Sequence, residues 1–447
     1  MIDLFAGCGG MTIGFVRAGF RPLLAVEWNL HAAATYAANF GQAHTFQGDI
    51  ASLADGHIPR ADVVVGGPPC QGFSNLGSKD ADDPRNRLWK QFLRIVSIAR
   101  PAVFVIENVD RFRSSTEFAL LLAEADHGAI SNYQLRHGLL LAADYGVAQR
   151  RLRTIAIGSR IGPIDLPPPT HAKTPAAGQH PWRTVRDRIG DDQRFPTVPR
   201  GTELPDSVVE FFGERVPGVF KSRDLHFGRS PSALSLARYD CVPPGGGRFD
   251  VDPRLLPRCW REKATGTTDV MGRMRWDAPS LTIRTEFFKP EKGQYLHPQW
   301  DAHDHRRRVN RVITHAEAAA LQHFPDDYLW CGSKIEIAKQ IGNAVPAGLA
   351  AEIAKHVRAA LDHDQPNARS RPSTETAILR KRQDAGTAGA RPGPIRDALT
   401  ASRPRDTAAE QALAEINASL RANSSGLGAQ APPTRTRSRP GCGPMCR

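Results

Sequence analysis

The chain has 447 residues with 7 cysteines, and its 59 lysines and arginines exceed its 46 aspartates and glutamates by 13, which gives a sequence pI near 9.7. This length accommodates two folded units and a tail, and the basic balance favours a polyanionic partner such as nucleic acid. There is no apolar run near the roughly 18 to 20 residues of a transmembrane helix and no secretory leader, and the scattered cysteines are typical of reduced thiols, so we expect a cytoplasmic protein without membrane association.

Short apolar runs alternate with helix-like stretches over the first 160 residues. Runs of this kind, without polar alternation, are typical of strands that are buried on both faces of a parallel sheet. The predicted strands are residues 22–27, 61–65, 102–106 and 154–157. They predict an α/β fold with a mostly parallel, doubly wound sheet.

A glycine-rich loop, DLFAGCGG at residues 3–10, follows a very short first strand. Glycines there let the backbone at a helix N-terminus approach a ligand closely. A dinucleotide-binding loop would have glycine where this chain has Thr12, which argues against NAD. Glu27, at the end of the next predicted strand, can accept hydrogen bonds from a ribose, and Trp28 offers a face for an adenine ring. The alternative is a tight turn with a surface acid and a core tryptophan.

One cysteine, Cys70, lies in a rigid loop with the sequence GGPPCQGFS at residues 66–74. The loop follows the carboxyl end of a buried strand, which is the edge where open α/β sheets collect catalytic and ligand-binding groups. An arbitrary cysteine is more often a buried structural residue, but this loop favours a reactive thiol.

Glu107 and the run QRRLR at residues 149–153 supply charged groups at the same edge. Glu107 comes directly after the predicted strand 102–106, and a carboxylate near a thiolate can retain a proton and bind the edge of a base. Alternation along the following strand puts Arg151 and Arg153 on one face. Solvated surface charges are the alternative for both features.

The composition and periodicity of the sequence change at residue 161. As far as about residue 306, proline, glycine, arginine and aromatic residues without a clean period predict a separate, loop-rich domain with short strands. Helical patterns return from Thr314 and after Pro346. Beyond residue 362 there are few large apolar residues, so we expect a basic, disordered tail. Residues 402–413 of that tail resemble the opening of very-short-patch mismatch repair endonucleases.

Taken together, these motifs resemble those of the DNA cytosine-5-methyltransferase family in sequence and in order. The matching segments are DLFAGCGG at 3–10, PPCQGFS at 68–74, ENV at 107–109, QRRLR at 149–153, RVIT at 311–314 with Glu317, FPDDY at 324–328 and QIGNAVP at 340–346. The resemblance covers residues 1 to about 360, apart from the variable middle.

The resemblance implies a Rossmann-like fold that binds S-adenosyl-L-methionine and no metal. The cofactor residues that it implies are Phe5, Gly7, Gly9, Glu27, Trp28, Asp49, Ile50, Pro68, Asn343 and Val345. It implies that Cys70 is the nucleophile that attacks C6 of a flipped-out cytosine. Glu107 would contact N3 and the amino group of that base, and Arg153, supported by Arg151, would hold its O2.

The resemblance also divides the chain. Residues 1–160 and 307–361 would form the catalytic domain, residues 161–306 a target-recognition domain, and residues 362–447 the tail. The implied DNA contacts are Ser74, Arg85 and Thr282, and further candidates for guanines or phosphates are Arg273, Arg275, Arg284 and Lys289. Only Met1 and Ile2 precede Asp3, so we expect either a shortened first strand or a start further upstream.

The expected activity is methylation of cytosine in a specific double-stranded DNA sequence by a monomer, as part of a restriction-modification system with an endonuclease encoded nearby. An RNA cytosine methyltransferase that acts on tRNA is one alternative, but that branch has a smaller middle insert. An inactive DNA-binding relative is another, although it would be expected to lack Cys70, Glu107 or the arginines.

Overall fold

The computed structural model describes residues 1–69, 88–262, 265 and 268–364. The sequence predictions for Cys70, Ser74 and Arg85 lie outside these residues. So do the predictions for the tail beyond residue 364.

The centre of the protein is a seven-stranded sheet. Its strands are β1 (Ile2–Leu4), β2 (Leu24–Glu27), β3 (Thr45–Gln47), β4 (Val63–Gly66), β5 (Val103–Val109), β6 (Gln134–Leu141) and β8 (Leu152–Ser159), with the short β7 (Gln149–Arg150) just before β8. Their order is β3-β2-β1-β4-β5-β8-β6. The five neighbouring strands β3, β2, β1, β4 and β5 run parallel, whereas β8 is antiparallel to β5 and β6. The predicted mostly parallel α/β fold is confirmed.

The helices flank this sheet and the middle of the chain. They are α1 (Gly10–Arg17), α2 (Leu30–Phe40), α3 (Leu88–Ala99), α4 (Thr116–His127), α5 (Val185–Ile189), α6 (Ala233–Asp240), α7 (Arg258–Arg261), α8 (His315–Leu321), α9 (Lys334–Asn343) and α10 (Ala347–Asp364). The helices predicted from Thr314 and after Pro346 are α8 and α10. Within the described residues, no helix combines the length and the apolar character needed to cross a lipid bilayer.

Alternate residues of the central strands pack on opposite faces of the sheet. Val64 and Phe104 lie in an apolar cluster with α3 and α4, whereas Val63 and Val105 lie in another with α1 and α10. Because helices cover both faces, the strands need apolar side chains at every position, which explains the unbroken runs.

Helix α10 packs directly on α1, where a glycine permits a close approach. A Cβ atom on Gly14 would lie 2.3 Å from the carbonyl carbon of Ala350, so only a residue without a side chain fits there. The first helix and the last described helix thus form one layer on the same face of the sheet.

The ends of two strands differ from the sequence prediction. Strand β5 continues through Glu107 to Val109 because antiparallel β8 keeps pairing with it, up to Val109 opposite Arg153. Glu107 therefore lies within the strand and not after it. The edge strand β6 gave no apolar run because most of its residues are exposed or half-buried, and it was not predicted.

The middle of the chain is built from short strands and loops. Its strands are β9 (His171–Ala172), β10 (His180–Pro181), β11 (Val208–Phe211), β12 (Glu214–Pro217), β13 (Phe220–Lys221), β14 (Gly272–Arg273), β15 (Ser280–Leu281) and β16 (Gln294–Leu296), and β17 (Leu329–Trp330) follows later. Strand β15 pairs with β7, and β13 pairs with β17. The largest apolar cluster joins Ala6 and Tyr36 to Phe220 and Tyr295, so the middle shares a core with the first 40 residues.

Arg273 is fully buried, which corrects its candidacy as a contact to DNA. Its guanidinium donates to the carbonyl oxygens of Tyr239, Val242, His297, Gln299 and Val309 and to the side-chain oxygen of Asn310. Burial lowers the pKa of Arg273 to about 10, so the group keeps its charge at neutral pH. It crosslinks loops of the middle region, a role that charge patterning could not reveal.

A buried polar network fixes the start of α8. Arg311 donates two hydrogen bonds to Glu317, at 2.8 and 2.7 Å, and Glu317 accepts a third from the backbone N–H of Thr314 at 2.7 Å. The Glu317 side chain has no exposed surface. Burial alone would raise the pKa of this carboxyl, but the charge and hydrogen bonds of Arg311 outweigh it and lower the pKa to about 2.

Replacing Glu317 with alanine will strongly destabilise the fold, because it leaves the Arg311 charge buried without a partner. Breaking such a pair costs about 3 to 5 kcal/mol, measured as the loss in unfolding free energy in urea. The control is Glu262→Ala, which removes the exposed partner of Arg258 on α7 and should leave the urea midpoint unchanged. Equal effects of the two variants would contradict the assignment of Arg311–Glu317 as a structural pair.

Four histidines, of which His297 and His315 are buried and His44 and His323 half-buried, will make the fold sensitive to acid. Burial lowers their pKa from 6.5 to about 4 for His44 and His315 and to about 3 for His297 and His323. From pH 6.5 down to about 4 the unfolded chain therefore binds protons that the folded chain does not, and stability falls with pH. Asp3 and Glu27 oppose this trend, because burial raises the pKa of both carboxyls, that of Asp3 to about 7. Urea midpoints at pH 6.5, 5.5 and 4.5 should decline in that order.

Two substitutions check the source of this acid sensitivity. His44→Gln removes one of these titrating groups and should make the decline in the urea midpoint shallower. His127→Gln removes a histidine whose side chain is 81% exposed and should leave the slope as it was. An unchanged slope in both variants would count against the four histidines as its cause.

Candidate active site

A cavity of about 670 Å³ opens at the carboxyl edge of the parallel strands. Its size suits a ligand of several hundred daltons, and its position is where open α/β sheets bind ligands. The predicted cofactor residues that line it are Phe5, Gly7, Glu27, Trp28, Asp49, Ile50, Asn343 and Val345. Gly9 and Pro68 do not line it; Gly9 caps α1, and the carbonyl of Pro68 accepts a hydrogen bond from Asn108.

The glycine loop bends sharply between β1 and α1. Phe5, Gly7 and Gly9 all have positive φ angles, of 58°, 55° and 88°. A Cβ atom on Gly9 would lie 2.4 Å from the Phe40 ring, and one on Gly10 would lie 2.5 Å from the carbonyl oxygen of Val345. The loop is therefore pressed between α2 and the connection from α9 to α10, which brings Val345 to the cavity.

Glu27 is held in a fixed orientation at the end of β2. One carboxylate oxygen accepts from the backbone N–H of Gly7 and the other from that of Asn29, both at 2.7 Å. Burial raises the pKa of Glu27, while these hydrogen bonds oppose the rise. Each carboxylate oxygen has a second acceptor site, so the pair can still receive two hydroxyls of a ligand.

Two exposed groups stand at the mouth of the cavity. The side chain of Trp28 is 71% exposed, which is unusual for a tryptophan and leaves a ring face free for stacking. Asp49 caps the turn at Ile50–Ser52 by accepting from Ala51 N–H at 2.9 Å. A capping carboxylate retains an oxygen that can accept a hydrogen bond from an amino group.

Glu107, on the wall of the cavity, forms an ion pair with Arg153. The Arg153 Nε atom lies 3.0 Å from Glu107 Oε1, and the two side chains are 12% and 10% exposed. Glu107 lines the cavity together with Gly67 and Pro69. The pair thus holds a carboxylate and a guanidinium side by side, with both acceptor and donor groups available to a planar polar ligand.

Asn108 anchors the chain just before the segment that contains Cys70. Its amide nitrogen donates to the carbonyl of Pro68 at 2.9 Å, and its amide oxygen accepts from Val109 N–H at 2.8 Å. The sequence motif included this residue, but its side-chain contact could not be read from the sequence.

The hydrogen bonds of Arg151 go to other parts of the chain. Its guanidinium donates to the carbonyls of Ile283 and Gly342, at 3.0 and 2.9 Å, and it makes no hydrogen bond to Glu107 or Arg153 among the described residues. The sequence placed Arg151 and Arg153 on one face. Among the described residues only Arg153 forms an ion pair with Glu107, and neither arginine lines the cavity itself.

The predicted DNA contacts of the middle region are mostly occupied within the protein. The Thr282 hydroxyl donates to the carbonyl of Arg150 at 3.1 Å. Arg275, Arg284 and Lys289 lie on the surface, and each forms an ion pair with a nearby carboxylate. These pairs would exchange partners if phosphates replaced the carboxylates.

Several lining residues were not recognised as ligand-binding candidates from the sequence. Asp3 is 2% exposed and accepts a hydrogen bond from Thr12 at 2.5 Å, and burial raises its pKa to about 7. Glu336 and Lys339 form a pair at 2.8 Å on α9. Asp3 is part of the glycine-loop motif, so the sequence could have indicated it, whereas α9 was not predicted as a helix.

Among the described residues no group of histidine, cysteine or acidic side chains is arranged to hold a metal ion.

Comparison with known proteins gives consistent likenesses. The family described as C-5 cytosine-specific DNA methylase matches residues 1–359. The type II methyltransferase M1.HphI of Haemophilus parahaemolyticus is 35% identical over 366 residues, which span 80% of this chain and 86% of that protein. M.AgeI of Thalassovita gelatinovora, also a type II methyltransferase, is 28% identical over 80% of this chain and 99% of its own length.

Solved structures share the architecture. A prophage-encoded protein of E. coli, assigned as a DNA modification methyltransferase, is 25% identical with a TM-score of 0.58, over 81% of this chain and 99% of that chain. A variant of DNMT2 from Spodoptera frugiperda is 16% identical with a TM-score of 0.50, over 80% of this chain and 98% of that chain, and shows a likeness of fold alone.

Proposed function

The chain belongs to the C-5 cytosine-specific DNA methylases and is a DNA (cytosine-5)-methyltransferase, and on that premise we propose that it methylates C5 of a flipped-out cytosine through a covalent bond to Cys70. The observation that carries this proposal is Glu107 on the wall of the cavity, held there by its ion pair with Arg153. Pro69, which lines the same cavity, directly precedes Cys70 in the chain. Cys70 lies outside the described residues, so its role rests on its motif and on the family.

The cavity fits S-adenosyl-L-methionine, which when bound would supply an electrophilic methyl group. In this proposal Glu27 binds the ribose hydroxyls, Trp28 stacks on the adenine, and Asp49 accepts from the adenine amino group. The supporting observations are the fixed Glu27 carboxylate and the exposed Trp28 ring. The remaining contacts are assigned to the lining residues Phe5, Gly7, Ile50, Asn343 and Val345. Gly9 and Pro68, which do not line the cavity, are assigned to shaping it through the cap of α1 and the hydrogen bond with Asn108.

The cysteine step answers a chemical problem, because C5 of cytosine is a weak nucleophile. Attack of the Cys70 thiolate on C6 forms an enamine whose C5 carries the electron density needed to accept a methyl group. Loss of the C5 proton to solvent and β-elimination then restore the ring and free the thiolate. A stacked base cannot be reached in this way, so the cytosine leaves the helix at a cost of about a few kcal/mol.

Glu107 and Arg153 would hold the flipped base. The carboxyl group of Glu107 faces N3 and the exocyclic amine, where it supports the proton gained as charge develops, and Arg153 donates to O2. Their mutual ion pair keeps both groups in place before the base arrives. In this proposal Arg151 supports Arg153 indirectly, because its hydrogen bonds to the carbonyls of Ile283 and Gly342 fix the chain two residues before Arg153.

We assign residues 1–160 and 307–361 to catalysis and residues 161–306 to target recognition, with Ser74, Arg85 and Thr282 as DNA contacts. The type II relatives support duplex DNA as the substrate and favour it over tRNA. The proposal includes a monomeric, cytoplasmic enzyme that protects chromosomal DNA from a cognate endonuclease encoded nearby.

Expression of the chain in cells that lack cytosine methylation will protect cytosines within one short sequence context, as read by bisulfite sequencing beside an empty vector. Cys70→Ser will return protection to the vector background, because an alcohol is too weak a nucleophile for the C6 step. Cys241→Ser, in which the altered thiol does not line the cavity, will retain protection.

The outcomes separate the activity from its mechanism. Protection by the Cys70→Ser variant would overturn the covalent step while leaving the activity intact. No protection by the unaltered chain, when the protein is present and folded, would contradict the activity itself.

The cavity should bind S-adenosyl-L-methionine more tightly relative to S-adenosylhomocysteine as the pH rises from 6 to 8. Burial raises the pKa of the lining Asp3 carboxyl to about 7, so the group becomes anionic across this range. An anion favours the cationic sulfonium but not the neutral thioether, and the other charges of the two ligands cancel in the ratio. Calorimetric titrations should show the affinity ratio increase several-fold.

Asp3→Asn tests this assignment. The variant should show a much flatter affinity ratio, because an amide at this position cannot become anionic between pH 6 and 8. A ratio that rises equally in both proteins would exclude Asp3 as the titrating group.

A further inference from the structure

Two buried side chains just ahead of β8 join stretches of chain that are distant in sequence. Gln149 has no exposed surface, and Arg151 is 3% exposed. Their hydrogen bonds reach the segment 280–285 of the middle region on one side and the end of α9 on the other. We call this pair the clasp.

On the side of the middle region, the clasp holds both backbone groups of Ile283. The Ile283 N–H donates to Gln149 Oε1 at 2.9 Å, and its carbonyl accepts from Arg151 Nη1 at 3.0 Å. The neighbouring Ser280 N–H donates to the carbonyl of Ala148 at 2.9 Å as β15 pairs with β7. Segment 280–285 is thereby fixed to the chain that leads into Arg153.

On the side of the cavity, the clasp holds the last turn of α9. Arg151 Nη2 donates to the carbonyl of Gly342 at 2.9 Å. Gln149 donates to Gln322 Oε1 at 2.9 Å, and Gln322 in turn donates to the carbonyl of Ile341 at 2.7 Å. Asn343, which directly follows Gly342, lines the cavity.

The two sides also touch each other. A Cβ atom on Gly342 would lie 2.4 Å from the backbone nitrogen of Thr285, so the end of α9 rests on the backbone of segment 280–285. Close-packed backbone contacts of this kind transmit displacement because they cannot be compressed. A shift of the segment must therefore move α9 or break the clasp.

The guanidinium of Arg151 stays protonated at neutral pH, so its N–H groups remain hydrogen-bond donors. Burial lowers the pKa of Arg151, and the nearby charge of Arg153 adds to this, but the pKa remains about 9 and the guanidinium keeps its charge. A lysine there would present its donors from a single nitrogen and not from two, so it would hold the two carbonyls less well than the fork of a guanidinium does.

We propose that Gln149 and Arg151 are positioning residues that couple the cofactor cavity to the target-recognition segment 280–285, so that cofactor binding and target recognition strengthen each other. This inference rests on the proposed function. The segment does not line the cavity, so any response of it to the cofactor has to pass through its neighbours. By reciprocity, a segment that is ordered by the cofactor increases cofactor affinity when DNA orders it.

Hydrogen exchange of the full chain, with and without saturating S-adenosylhomocysteine, tests the coupling. Peptides covering residues 24–34 and 336–345 report binding in the cavity, and the peptide covering 280–286 reports the clasp through the Ile283 N–H. We expect at least tenfold slower exchange at 280–286 on ligand addition, with no change in the hairpin of β11 and β12. Protection of the cavity peptides alone would overturn the coupling, whereas protection of neither would count against the proposed function.

Variants identify the residue that carries the coupling. In Arg151→Met, saturating ligand should still protect the cavity peptides but no longer protect 280–286, and the ligand affinity should fall at least tenfold. Arg151→Lys should show intermediate protection. Arg273→Met removes an equally buried guanidinium from the middle region and should retain the response at 280–286.

A purely structural role would give a different pattern. Arg151→Met and Arg273→Met would then both lose thermal stability while both kept the ligand response at 280–286, and the proposal would be wrong. If Arg151→Met does not fold, Arg151→Lys and the exchange of the unaltered chain decide between the two outcomes.

Discussion

The antiparallel register between β5 and β8 determines where the chemistry of this protein can take place. Val109 lies opposite Arg153 and Glu107 opposite Ile155, which puts Glu107 and Arg153 on one face of the sheet within ion-pair distance. Because side chains alternate along a strand, a slip of one residue would turn Arg153 to the other face. The same register fixes the start of β8, and with it the buried residues just before the strand that reach the middle region and α9.

The basic character of the chain has two physical origins that composition cannot separate. Arg151, Arg273 and Arg311 are buried and satisfy backbone carbonyls or a carboxylate, so they stabilise the fold and contribute little to the field outside it. Arg275 and Arg284 lie on the surface in exchangeable ion pairs. Only surface groups of the second kind can act on a partner outside the fold, so the net charge overstates the charge that is available for binding.

The sequence predicted the sheet and the cavity well because both follow from local patterns. Unbroken apolar runs marked strands that are buried on both faces, and the glycine loop and Glu27 stand at strand ends, where topology alone brings them together. Strand β6 and helix α9 were missed because their residues are largely exposed or mixed in polarity. Arg273 was misjudged because its partners are carbonyls from distant loops, which leave no trace in the sequence. Cys70 remains a prediction from its motif.

The contact between Gly14 and Ala350 has a consequence for the order in which the protein can fold. One face of the sheet is covered jointly by α1 and α10, whose apolar residues Phe15, Leu349 and Ile353 share a single cluster. During synthesis the strands of that face emerge long before α10 does, and the pairing of the two helices spans more than 300 residues of intervening chain. Contacts of such sequence separation form slowly. The nascent first half therefore presents an uncovered apolar surface until residues 347–361 leave the ribosome, which makes it a natural client for chaperones.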